Sequence, residues 1–166
     1  MPIGGPQPMK LVPEPLTAEA FAPFGRVLSA PAQPGRISAS DCLQNLRPGA
    51  RVQLTLSTAA PKTLPLVSKV MERHEFSSQT FMPLDASSYV VVVAPHSDGR
   101  RRPDMGRARA FLVRGDQGIS YGADVWHHPM TALDREARFA VLMWTDGTSE
   151  DEEFIDLDEP IEIAPA

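Results

Sequence analysis

The chain reads as an all-β protein, an antiparallel β-barrel or sandwich preceded by one short helix. Three observations lead there. Short apolar runs recur along the sequence with turn-forming residues between them. Seventeen prolines among 166 residues interrupt any long helix. The strand–helix alternation that a parallel sheet needs is missing, as are a glycine-rich phosphate loop and an internal repeat.

The elements follow in order. Residues 1–10 are rich in proline and glycine and read as a loose N-terminal segment, which leaves 11–166 as one domain of ordinary size. Residues 16–25 predict one short helix. Thr17 can cap it, Glu19 suits its positive end, and Pro23 with Gly25 stops it. A strand at 26–28 precedes a long irregular connection over 30–50. Residues 51–57 alternate polar with apolar, the pattern of a half-buried strand. Further strands are expected at 66–74, 80–83, 88–94, 110–113, 119–121, 125–127 and 138–144, with 88–94 apolar on both faces. The acidic stretch 150–158 fits a peripheral strand, an arm reaching a partner subunit, or a solvated tail.

Composition removes several function classes. A net charge of −5 disfavours general affinity for nucleic acid. The Arg100, Arg101, Arg102, Arg107 and Arg109 cluster reads as a solvated loop. No apolar run is long enough to span a membrane, and the first residues lack a secretory pattern, so a cytoplasmic location is expected. The lone Cys42 cannot form a disulfide within the chain.

Chemistry is concentrated in residues 71–79 and 121–129. Side chains two apart on a strand share a face, so Glu72 and His74 project together. A turn after His74 brings Gln79 toward the same side, and His127 on a late strand can reach it from across a barrel. One carboxylate, two imidazoles and an amide make a nitrogen/oxygen set that suits Ni, Mn, Fe or Zn, and the lack of thiolate disfavours a structural zinc site. The plainer alternative pairs Glu72 with an arginine and leaves His74 a wall residue. His127 and His128 are consecutive and face opposite ways in a strand. His127 is taken as the inward member and His128 as a buttress, with two structural histidines as the alternative.

Met71-Glu72-Arg73-His74 followed by Ser78-Gln79-Thr80-Phe81-Met82-Pro83 resembles the first signature of the ureidoglycolate lyase family. Gln117-Gly118-Ile119-Ser120-Tyr121 with Val125-Trp126-His127-His128-Pro129 resembles its second, and the similarity runs from about residue 9 to 146. The resemblance implies a cupin-like barrel, a homodimer, and cleavage of the small carboxylate ureidoglycolate to glyoxylate and urea. It favours nickel as the ion. It implies Glu72, His74, Gln79 and His127 as metal ligands and Glu72, Tyr121 or His128 as acid/base groups. Arg73, Lys69 and Trp126 become candidate substrate contacts, although strand register points Arg73 away from His74. Glu72 and Gln79 depart from the usual cupin ligands. Gly122 stands where these lyases usually carry histidine, which keeps a non-catalytic carboxylate-binding cupin in view. An amidohydrolase releasing ammonia and carbon dioxide is the other alternative.

Overall fold

Two β-sheets face each other and enclose the main core, in a computed structural model that describes residues 7–166. The chain begins with β1 (Met9–Leu11) and β2 (Glu14–Pro15), the helical turn α1 (Ala18–Phe21), β3 (Gly25–Leu28), β4 (Arg51–Ala59) and β5 (Pro61–Lys62). It continues through β6 (Leu66–His74), β7 (Gln79–Asp85), β8 (Ser88–Ala94), β9 (Arg109–Arg114) and β10 (Gly118–Tyr121). It ends with β11 (Trp126–His127), β12 (Thr131–Leu133), β13 (Ala137–Thr145) and β14 (Glu152–Ile163). The larger sheet runs β1-β14-β6-β11-β8-β12-β5, with β9 against β8 and β2 against β9. The smaller runs β3-β10-β7-β13-β4. Pairing is largely antiparallel, and the architecture is the all-β barrel or sandwich expected.

Burial explains the long valine run of β8. Tyr89, Val91 and Val93 join Phe21, Phe81, Phe111, Phe139 and Val141 in the core between the sheets. Val90, Val92 and Ala94 face the other way, into a second cluster with Met71, Trp126, Leu157, Ile161 and Ile163. A strand covered on both faces has no polar alternation to show.

Several elements differ from their sequence readings. The helix is shorter than 16–25: Thr17 does cap it, its side-chain oxygen accepting from Ala20 N at 3.2 Å, but only residues 18–21 are helical. A 3-residue gap later the chain is already extended at Gly25, whose neighbour across the sheet leaves no room for a side chain: an added Cβ would overlap Ser120 O. Residues 9 and 10 are not loose, because β1 pairs in parallel with Ile161–Ile163 of β14. The rest of that expectation, over 1–6, lies outside the described residues. The acidic stretch became a strand, with β14 pairing antiparallel along β6. Finally, β4 is not half-buried. It is the edge of its sheet, and Val52, Leu54 and Leu56 are 56%, 66% and 71% exposed.

Candidate metal and active site

The site grows from strand register. Glu72 and His74 lie two apart on β6, and His127 of β11 sits directly opposite Glu72 in the antiparallel pair. One ligand atom from each of Glu72, His74 and His127 lies within 4.8 Å of the others, and all three residues are buried. Among the described residues this is the one His/Cys/Asp/Glu group of its kind. Gln79, at the start of β7 in the facing sheet, lines the same cavity of about 240 Å³ as Glu72 and His74. Glu72, His74 and Gln79 therefore line one hollow sized for a small molecule, and His127 stands within ligand distance of the first two without lining it.

The hydrogen bonds around these groups are incomplete in an informative way. His127 Nδ1 lies 2.9 Å from Val125 O, and a carbonyl only accepts, so Nδ1 carries the hydrogen. In the neutral ring, Nε2 is then a bare acceptor, 3.2 Å from Glu72 Oε1. Two acceptors face each other there, an arrangement that a cation between them relieves. His74 has no hydrogen-bond partner at either ring nitrogen, and the Gln79 carbonyl oxygen has none. Buried polar atoms without partners cost free energy, on the order of 1–3 kcal/mol each. The donor set and its unmet valences fit a divalent ion, and fixing Nδ1 on a backbone carbonyl is how metal-binding histidines are commonly oriented.

Electrostatics points the same way. Burial, followed by the neighbouring His127, pushes the His74 pKa down to about 4, against the pull of Glu72, Asp151 and Gln79. The ring is neutral near pH 7 and its lone pairs are available. Burial opposes ionisation of Glu72. His127, when its ring also carries a proton on Nε2, together with the fields of His74 and His128, outweighs it and holds the carboxyl below its usual value. Tyr121 stacks on His127 with ring centroids 4.1 Å apart and planes 12° from parallel. Its hydroxyl is buried without a partner, and burial, then Tyr89 and Glu72, raise its pKa well above the usual value. It stays a phenol, with a proton to give.

The remaining candidates lie elsewhere. Arg73 projects from the opposite face of β6, where it binds Asp124 at 2.8 Å and Glu153 at 2.6 Å, with its guanidinium 4.7 Å from the centre of the Trp126 ring. Trp126 is fully buried in the outer cluster and donates to His96 Nδ1 at 3.1 Å. Lys69 lies on an exposed position of β6 and does not line the cavity. His128 is engaged at both ring nitrogens, with Ser68 Oγ at 2.9 Å and Pro129 O at 2.8 Å. Burial, only partly offset by the Pro129 carbonyl and Glu72, lowers its pKa. At position 122 an added Cβ would meet only ordinary contacts, the nearest being Gln44 Oε1 at 3.5 Å.

Sequence reasoning missed Gln53, Thr148, Ser149 and Asp151, which line the cavity. Alternation along 51–57 could have flagged Gln53 as a polar residue facing inward. Asp151 carried no such signal. Its carboxylate accepts from Phe76 N at 2.6 Å, and that contact joins residues 75 apart in sequence.

An all-β fold that brings a carboxylate, two imidazoles and an amide together beside a small hollow defines a site that could hold a metal ion. The sequence comparisons sharpen this. The profile described as Ureidoglycolate lyase matches residues 8–164, and the chain belongs to that family. It is 40% identical over 137 residues to a ureidoglycolate lyase of Rhizobium etli (strain CIAT 652), covering 77% of this chain and 80% of that one. It is 36% identical over 142 residues to one from Chelativorans sp. (strain BNC1), covering 80% and 84%. Among solved structures, a dTDP sugar isomerase from Desulfovibrio desulfuricans G20 aligns with a TM-score of 0.48 and 18% identity, over 81% of this chain and 83% of that one.

Proposed function

We propose that this protein is a ureidoglycolate lyase, cleaving ureidoglycolate to glyoxylate and urea in the breakdown of purine nitrogen. The observation that carries the reading is the convergence of ligand atoms from Glu72, His74 and His127 within 4.8 Å of one another in a chain of this family. Glu72, His74, Gln79 and His127 are the proposed ligands, with nickel favoured over Mn, Fe or Zn by the family resemblance. An ion held there supplies Lewis-acid chemistry, lowering the cost of ionising the substrate hydroxyl and anchoring its carboxylate.

The chain's own groups then divide the proton work. The reacting carbon bears a hydroxyl, a carboxylate and the urea nitrogen. Glu72, ionised near neutrality, receives the hydroxyl proton. The oxygen electron pair forms the aldehyde C=O, the C–N bond breaks, and its pair stays on nitrogen. Tyr121, which keeps its phenolic proton, donates to that nitrogen and is later restored by the proton Glu72 took. No water is consumed. Gln53, Thr148 and Ser149 line the cavity and offer amide and hydroxyl donors to the substrate. Arg73, Lys69 and Trp126 act from outside it, and His128 holds the wall. A cytoplasmic homodimer completes the proposal; no helix among the described residues is long and apolar enough to cross a membrane.

The test is product analysis on purified protein, with and without added Ni or Mn. Equimolar urea and glyoxylate support the lyase. Ammonia in place of urea indicates the amidohydrolase, and saturable binding without turnover indicates a carboxylate-binding cupin.

A further inference from the structure

The outer face of the five-stranded sheet is apolar where the chain leaves it open. Residues directly opposite in paired strands share a face. Leu54 therefore lies beside Leu142, Leu56 beside Ala140, and Ala140 beside Met82. Val52, Leu54, Leu56, Met82 and Leu84 are 41–71% exposed on this face, and Ile37, which shares a hollow with Met82, is 61% exposed. Over β3 and the Met82 end of β7 the same sheet is overhung by the 29–39 connection. Among the described residues, the apolar side chains of β4 on this face stay open.

We infer that this open face, centred on β4 and β13, is where a second copy of the chain packs, β4 against β4 across a two-fold axis. The six exposed apolar side chains present roughly 600 Å² of surface, at the upper end of what a monomer shows in one patch and close to the ~800 Å² per partner of a stable interface. The charge around the patch selects the occupant. At its edge Arg135 and Arg138 both pair with Asp85, and exposed Glu136 between them offsets the second positive charge, leaving a nearly neutral rim. An anionic membrane or nucleic acid would call for unpaired basic residues there. A neutral apolar face is complementary to itself, as a two-fold interface requires. Edge strands are usually protected by charge, proline or cover. The interior of β4, from Val52 to Thr58, carries no charged residue and no proline, which fits an edge covered in the assembled protein. The inference refines the two-copy assembly proposed above and is independent of the lyase reading. It also bears on the site, since Gln53 on the reverse side of β4 lines the cavity.

Sedimentation of the full chain at micromolar concentrations tests it, with Leu54→Glu/Leu56→Glu as the disrupting variant and Phe154→Gln as the control. Phe154 is 55% exposed on the other sheet. Wild type is expected at about twice the 18.1 kDa chain mass. The double variant is expected as a single chain with an unchanged far-ultraviolet spectrum, its dissociation constant raised at least ~100-fold. Wild type sedimenting as one chain overturns both the assembly and this face. A double variant that stays paired, or a split caused by Phe154→Gln alone, overturns the face and leaves the assembly standing. Should the double variant misfold, hydrogen exchange on wild type decides: protection of residues 51–59 that does not rise with concentration overturns the inference.

Discussion

Two pairs of histidines occupy this barrel, and they are treated differently. His128 is satisfied at both ring nitrogens, by Ser68 and the Pro129 carbonyl, while His96 accepts from Trp126 Nε1 and turns its Nε2 toward Asp124, 3.1 Å away, without a well-formed hydrogen bond. His74 and His127 are at least as deeply buried as His128, yet keep ring nitrogens without partners beside Glu72. Burial alone does not separate the pairs. The difference is the unmet hydrogen-bonding capacity of two rings beside one carboxylate, which a folded protein retains at a cost and which something outside the chain can fill.

The sharpest way to break this contrast is to remove one open histidine. His127→Ala or His74→Ala should leave the purified protein without a stoichiometric ion and lower kcat/KM by roughly 10³-fold, read by elemental analysis and glyoxylate release. Full ion content in both variants would end the assignment.

Acid titration of the ion-free protein comes next. His74 titrates near 4 in the folded chain and near 6.5 when unfolded, so between those values the unfolded state binds the extra proton. The stability of the neutral form is complete above about pH 6.5 and falls as pH drops toward 4, by on the order of 3 kcal/mol. Chemical denaturation at several pH values measures it, and His74→Gln should flatten the profile over that window.

His128 and His96 should respond differently. His128→Ala removes partners of Ser68 and of the Pro129 carbonyl and should cost about 1–3 kcal/mol in stability with ion content unchanged. A fall in kcat beyond the loss of folded protein would give His128 an acid/base role after all. The smallest effect is expected from His96→Leu, which frees Trp126 next to His127. Ion affinity should weaken by about tenfold, measured by competition with a chelator.

Much of the site was legible because strands repeat every two residues. Glu72 and His74 had to share a face, and Arg73 had to leave it, as its contacts with Asp124 and Glu153 show. The partner of β6 was not legible, since period and composition do not say which strand lies beside which. Hence His127 could be placed inside the barrel without being placed opposite Glu72. Trp126 illustrates another limit. The family resemblance made it a candidate substrate contact, but facing outward it fills the second apolar cluster, whose existence depends on β14. That strand was hidden under acidic residues that look equally at home in a tail. On β4 the alternation was read correctly, yet which side faced solvent was not in the pattern. Both sides are open in a single chain, the apolar one included.

The pairing of β6 has a consequence for how the protein is made. Glu72 and His74 leave the ribosome early, but their neighbours on either side are β11 and β14, which follow some fifty and eighty residues later. A nascent chain therefore carries two exposed ligands and no cage. On the proposed reading, ion capture waits until β14 has paired along β6 and closed the site.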